Sequence, residues 1–270
     1  MSFYTSLSGL KNASTELNVI SHNIANAETN GFKKSTTAFA DVVASSVLTN
    51  PSLTQGIGST VQAIVQDYSL GSISQTGSAL DLTINGEGFF TTASPTSGQV
   101  AYTRAGSFRV DGSGYIVGNS LDRLEAFPTD STGTVTSTTP APVQIAQSNA
   151  AGSVYVGVTV ANDGLITATY ADGTSAIAGK LAIGTFTAPQ GLKQLGSAQW
   201  AATGLSGNAT YYAPGTGPAG AIMSGALERS NVDLSEEMVN LITAQSYFQA
   251  NAKAIDTSSQ IMQAVLNLRT

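Results

Sequence analysis

Glycine and proline are confined almost entirely to the middle of this chain. All eight prolines fall between Pro51 and Pro218, only Gly9 and Gly31 precede residue 40, and neither residue type occurs after Gly225. Proline removes a backbone donor and glycine weakens a helix interior by about 1 kcal/mol relative to alanine. Long helices are therefore open to the two ends, and a turn-rich β region is expected between them.

The C-terminal end carries the clearest pattern. Leu234, Met238, Leu241, Gln245, Phe248, Ala252, Ile255, Ser259, Met262 and Leu266 follow one another at alternating steps of four and three, the a/d seam of a coiled coil. Asn231 or Asp233 can cap the start, and Glu236 and Glu237 stand in the first turn, where the helix dipole favours anions. At ~1.5 Å per residue, Leu234 to Leu268 would extend roughly 50 Å. The N-terminal end repeats the seam with Phe3, Leu7, Leu10, Ser14, Leu17, Ser21 and Ile24, and Asn26 to Gly31 supply an exit. Two such helices suggest pairing, within one chain or between chains.

Between the ends, apolar and polar residues alternate in short runs that stop at Asn-Gly or Asp-Gly. Leu80, Leu82 and Ile84 precede Asn85-Gly86, Phe108 and Val110 precede Asp111-Gly112, and Val154 to Val160 precede Asn162-Asp163-Gly164. Ile166, Ala168 and Tyr170 precede Asp172-Gly173. Each is a hairpin signal, and the set implies an all-β region. The expected fold class is α+β: terminal long helices forming a coiled-coil core domain (1–41 and 226–270), a central all-β domain (42–128 and 161–225), and a loop or reduced outer appendage (129–160).

Charge narrows the functions open to such a chain. Charged residues make up 10% of it and the net charge is −6, against about 25% charged in an average soluble domain. No basic face is available to neutralise phosphates, which excludes a nucleic-acid binder. No apolar run reaches about 18 residues, so no membrane insertion is expected, and MSFYTSLSGL has no basic region before an apolar block, so no secretory leader is expected either. Cysteine is absent and His22 is the lone histidine. His22 falls on the N-terminal helix with no acid at helical spacing. Gly86-Glu87-Gly88 is followed by Phe89-Phe90 where a phosphate loop needs a helix, and Asp111 to Gly114 lacks the distal glutamate of a calcium loop. The acids Glu228, Asp233, Glu236 and Glu237 read as lining a helix start. Trp200, Phe186, Tyr211 and Tyr212 read as β core. No catalytic residue, cofactor site or metal site is expected, and no enzyme activity.

Six stretches resemble the bacterial flagellar axial family of hook and rod proteins. Ser21–Lys33 (SHNIANAETNGFK) is similar to the family's Asn-rich N-terminal signature, with His22 where Asn is commoner. Ala79–Phe90 (ALDLTINGEGFF), Tyr102–Val117 (YTRAGSFRVDGSGYIV) and Leu181–Leu192 (LAIGTFTAPQGL) resemble its β signatures. Ser224–Leu234 (SGALERSNVDL) and Glu237–Ala252 resemble its C-terminal helix and the approach to it. The termini look most like hook protein, while the length fits the distal rod protein. Only residues 129–160 are available for the outer domain that hook proteins insert, and Asp41–Gly58 is shorter than the element that rod proteins place after the GFK motif. A short hook protein is favoured over a rod protein, and a secreted adhesin is the reading from another class.

The resemblance implies a mechanical function: a tubular helical polymer, with terminal helices as inner wall and β domains outside, that transmits motor torque and lets exported subunits pass. It implies self-association, contacts with rod, hook–filament junction and hook-cap proteins, export by the flagellar type III apparatus, and location in the extracellular hook or, as a rod, across the periplasm. The assembly residues it points to are Leu7, Leu10, Leu17, Asn23, Ile24, Asn26, Gly31 and Phe32 at one end. At the other they are Leu234, Met238, Leu241, Phe248, Ala252, Ile255, Met262 and Leu266.

Overall fold

A helix begins where a side chain can take up its orphan amide groups, and Asp233 does so here. Its Oδ1 accepts from the Ser235 N–H at 2.7 Å and the Glu236 N–H at 3.2 Å, so of the two expected caps the aspartate is the one used. The computed structural model describes residues 2–43 and 56–267; residues 1, 44–55 and 268–270, which the expected domain ranges include, lie outside it, as do Leu268 and most of Asp41–Gly58. The chain forms two units, one of residues 1–27, 34–67 and 232–270, the other of residues 28–33 and 68–231.

The first unit holds α1 (Ser2–Ala25), the hairpin β1 (Ser35–Val43) with β2 (Gly56–Gln66), and α2 (Leu234–Asn267). α1 packs against both α2 and the hairpin. The Asn12 amide donates to Ser59 Oγ at 2.7 Å, and Gly58 lies over Ser8 so closely that a Cβ there would come within 2.4 Å of its hydroxyl.

Backbone amides bonded to Asp233 also hold its carboxyl below the usual carboxylate range. A depressed folded value means that its contribution is complete above the ordinary range and is lost as pH falls through the folded value. Asp233→Ala is expected to fray the start of α2, read as faster amide hydrogen exchange at Ser235 and Glu236, and acidification of the unmodified chain is expected to reproduce the effect.

The expected coiled-coil core is not what forms. Among the described residues there are nineteen strands and two α-helices, and thirteen of the strands join one sheet, so the chain is mostly β rather than α+β around a helical core. The two helices exist, but their contact stripe is rotated from the apolar seam. On α2 the covered positions are Glu237, Leu241, Ala244, Phe248, Asn251, Ala252, Ile255 and Ser258, while Leu234, Met238, Met262 and Leu266 are exposed. On α1 the buried positions are Ala13, Ile20 and Asn23, each one residue before a seam position. Small residues explain the rotation. Gly9 faces Asn251 so closely that a Cβ would lie 2.6 Å from its Oδ1. At this point the helices approach through a glycine rather than a large apolar knob.

The second unit opens with β3 (Ile73–Gln75), β4 (Leu82–Asn85), β5 (Phe89–Ala93), β6 (Val100–Thr103), β7 (Arg109–Val110) and β8 (Ile116–Val117). It continues through β9 (Arg123–Phe127), β10 (Ala141–Pro142), β11 (Tyr155–Val160), β12 (Leu165–Tyr170), β13 (Ser175–Leu181) and β14 (Ile183–Thr185). Last come β15 (Lys193–Gly196), β16 (Gln199–Ala201), β17 (Thr210–Tyr212), β18 (Ala221–Ser224) and β19 (Ala226–Glu228). The large sheet runs β11-β12-β13-β9-β5-β6-β16-β15, with β7, β8, β10, β14 and β17 branching from it, and β4 pairs β18 while β3 pairs β19.

Three Asp-Gly turns close hairpins as expected, β7–β8, β11–β12 and β12–β13. At the first, Asp111 Oδ1 accepts from the Ser113 and Tyr115 amides, the Asx chemistry that favours this residue in turns. Asn85-Gly86 does not close a hairpin, because β4 finds its partner far along the chain in β18, with Asn85 opposite Ala221. Gly86 is instead pressed against Gly220, where a Cβ would lie 2.8 Å from the facing Cα.

The core of this unit includes Leu82, Ile84, Phe90, Ile116, Ile166 and Ile183, all with essentially no exposure. A second cluster gathers Trp200, Phe89, Tyr102 and Leu192, with Phe186 and Tyr211 packed on it and Tyr212 on the first cluster.

Candidate assembly surfaces

A charged group in a β core must be paired, since an isolated buried ion costs several kcal/mol. In the second unit three such groups meet. Lys33, which follows the Gly31-Phe32 turn, Arg104, beyond the end of β6, and Glu228, the last residue of β19, are all almost completely buried. Lys33 Nζ donates to Glu228 Oε1 at 2.6 Å and to the Ser69 carbonyl at 2.5 Å. Arg104 Nη1 donates to Glu228 Oε2 at 3.2 Å, and Nη2 to the Gly86 carbonyl at 2.8 Å. The Gly71 N–H completes the carboxylate's contacts at 3.0 Å. Burial pulls the Arg104 guanidinium below its ordinary value and the Glu228 carboxylate pushes it back, and the Phe89 ring lies 5.3 Å beneath it. Two cations thus share one anion.

The backbone at Gly31 makes the knot possible. Its φ is +72°, and a Cβ there would stand 2.4 Å from the Ala105 nitrogen. Its N–H donates to the Glu228 carbonyl at 2.8 Å. Only glycine meets both demands. Gly31→Ala is expected to destabilise the β unit by more than about 2 kcal/mol, measured by urea denaturation.

In the first unit a buried amide, that of Asn23, ties the elements together. Its side chain is buried, donating to the Ser35 carbonyl at 2.8 Å and Glu237 Oε2 at 3.3 Å and accepting from the Ser35 N–H at 3.0 Å. One amide therefore joins the last turn of α1, the start of β1 and the first turn of α2. Nearby, the Asn26 amide donates to the His22 carbonyl at 2.9 Å and closes α1.

The assembly residues read from the sequence fall into three settings. Asn23, Gly31 and Phe32 are buried inside their units. Leu7, Leu10, Leu17, Ile24 and Asn26 on α1, and Leu241, Phe248, Ala252 and Ile255 on α2, are half-buried. Leu234, Met238, Met262 and Leu266 are exposed, and with Val239, Ile242, Tyr247 and Ile261 they make much of the outer surface of α2 apolar. His22 is exposed on α1.

Lys33 and Arg104 are the residues that sequence reasoning missed, and Glu228 is corrected. It does not line a helix start but ends a strand, while Glu237 enters the first unit's interior and Asp233 caps. The available signal was context. In a chain so poor in charge, a Lys, an Arg and a Glu inside three of the family-like stretches are candidates for mutual burial.

Three family models match this chain. "Flagella basal body rod protein" matches residues 3–33, "Flagellar hook protein FlgE/F/G D1 domain" matches 83–168, and "Flagellar basal body rod FlgEFG protein C-terminal" matches 223–268. Each segment contributes one member of the ion knot. The chain is 37% identical to the flagellar basal-body rod protein FlgG of Bacillus subtilis (strain 168), over 99% of this chain and 98% of that one. It is 33% identical to the FlgG of Buchnera aphidicola subsp. Schizaphis graminum, over 99% of each. Similarity to the flagellar hook protein FlgE of Salmonella typhimurium is 27%, over the whole of both chains, but the alignment runs to 411 positions. Signatures at both termini and in the β unit, joined by one buried cluster and matched end to end, place this chain in the flagellar hook and basal-body rod protein family.

Proposed function

We propose that this chain is a structural subunit of the flagellar axis, a rod subunit of the FlgG type, that polymerises with copies of itself and carries torque rather than catalysing a reaction. The observation that carries this reading is the outer surface of α2. Val239, Ile242, Tyr247, Ile261, Met262 and Leu266 are each more than half exposed along a 34-residue helix. Covering a Val, Leu, Ile or Met side chain gains roughly 1.5–3 kcal/mol, and an exposed apolar surface of this extent marks an interaction site. Residues 244–252 contain no charge, so a neighbour meets little desolvation penalty there.

Both hook and rod readings suit a family that contains both. Length favours the rod: the FlgG proteins align with few gaps, whereas the hook protein needs a large insertion that this chain does not hold. Adjoining axial proteins are the natural contacts at the ends of such a polymer, and export through the flagellar type III apparatus is the route that goes with it. Labelling an epitope-tagged chain on isolated hook–basal bodies tests the choice. A rod subunit is labelled on the shaft between the membrane rings. Label on the curved extracellular segment favours the hook reading, and label on neither overturns both.

A further inference from the structure

We propose that the two ends of the large β sheet are complementary faces, β15 of one copy seating against β11 of the next. This rests on the self-assembly reading above and assigns the surface of the β unit that takes part.

At one end of the strand order, Val154, just before β11, and Val156, at a bulge in it, stand 66% and 67% exposed. β11 is bonded to β12 along one side, and its other side is covered at its start, where the Tyr155 N–H donates to the Gln147 carbonyl. At the other end, Leu195 on β15 and Leu121 in the turn before β9 are also exposed. Three residues at that end lie in the left-handed region, Ser197 and Ala198 as the two-residue turn of the β15–β16 hairpin and Leu121 outside any such turn. Leu121, Ser197 and Ala198, with φ of 63°, 52° and 54°, are the non-glycine residues with positive φ among the described residues. A hydrogen bond from Gln199 Nε2 to Asp122 Oδ2, at 2.8 Å, ties the two turns together. An exposed leucine held in the left-handed region adds nothing to its own core, and strain of this kind collects where a surface has a task.

Charge fixes the pairing. Residues 131–225 contain four charged side chains. Asp163 and Lys180 face each other at 3.9 Å, which leaves Asp172 and Lys193. Asp172 lies beside Val154, since the Ala171 N–H donates to the Val154 carbonyl. Bonds from Thr174 and Asn149 hold its carboxyl well below the usual carboxylate range. Lys193 stands two residues before Leu195 in β15, and both are exposed. Neither has an ion-pair partner among the described residues. Opposite ends of one sheet thus present an apolar pair with a negative charge and an apolar pair with a positive one. A contact between unlike ends does not close on itself and builds an open polymer.

Asp172→Lys and Lys193→Asp, made singly and together in the full chain, test the contact by sedimentation of assembled material. Each single change places like charges in apposition and is expected to cut the assembled fraction about tenfold, and the double change to restore it to within about twofold. Because the chain lacks cysteine, Val156→Cys with Leu195→Cys gives an independent reading: diamide oxidation of assembled material is expected to yield a ladder of covalent multimers. Filaments with unaffected single variants, a double variant as poor as the singles, or no ladder overturn this contact alone. A wild-type chain that never sediments overturns the assembly reading and this contact with it.

Discussion

Glu228→Gln is expected to lower the stability of the β unit by about 3–5 kcal/mol, the range for breaking a buried charge pair from one side. The reason is arithmetic of charge. Glu228 is the single anion between Lys33 and Arg104 and also takes the Gly71 N–H. Its neutralisation takes from two buried cations the carboxylate that both are paired with. Lys33→Met, by contrast, leaves Arg104 and Glu228 as a one-to-one pair and fills the Lys33 space with an apolar side chain of similar length. Its effect is expected to be less than half as large. Urea denaturation of the three proteins checks the order. Equal losses, or a larger loss for Lys33→Met, would show that packing rather than charge balance holds the three family segments together.

A carboxylate at Ile242 is expected to separate assembly from folding. Ile242 is 63% exposed, so Ile242→Asp should change the stability of the isolated subunit by no more than about 0.5 kcal/mol. In a polymer that covers this face the same carboxylate is buried without a partner. A penalty of about 3 kcal/mol per contact suffices to reduce association more than a hundredfold. Ala244→Asp should behave in the opposite way. Ala244 is 1% exposed and lies in the stripe that α2 turns toward α1, so the damage there falls on the subunit itself. Sedimentation and thermal melts, run side by side on both variants, distinguish the two faces.

Much of the fold was legible because its strongest signals are local. The scarcity of Gly and Pro placed both helices, Asn231 or Asp233 marked the start of α2, and Asp111-Gly112, Asn162-Asp163-Gly164 and Asp172-Gly173 placed three hairpins. The helix contact was not legible. Heptad counting follows large apolar side chains, and here α1 comes close to α2 at Gly9 against Asn251, while the most buried apolar residues of the two helices include Ala13 and Ala244. The large apolar residues Met238, Met262 and Leu266 are left outside, so the two ends of a pattern read as an internal seam lie on the surface while Leu241, Phe248, Ala252 and Ile255 stay half-buried. Asn85-Gly86 misled for a related reason: its strand pairs with β18, and no local pattern announces a partner that distant. The ion knot joins positions 33, 104 and 228, and nothing in any one neighbourhood says that Lys33 is buried.

The most direct measurement is a cryo-electron microscopy reconstruction of assembled material from the full chain, at a resolution that separates helices. The expected result is a tube in which Val239, Ile242, Tyr247 and Ile261 of α2 are covered by neighbouring copies. Subunits that form no tube, or a tube in which that face of α2 is left to solvent, would contradict assembly through the terminal helices.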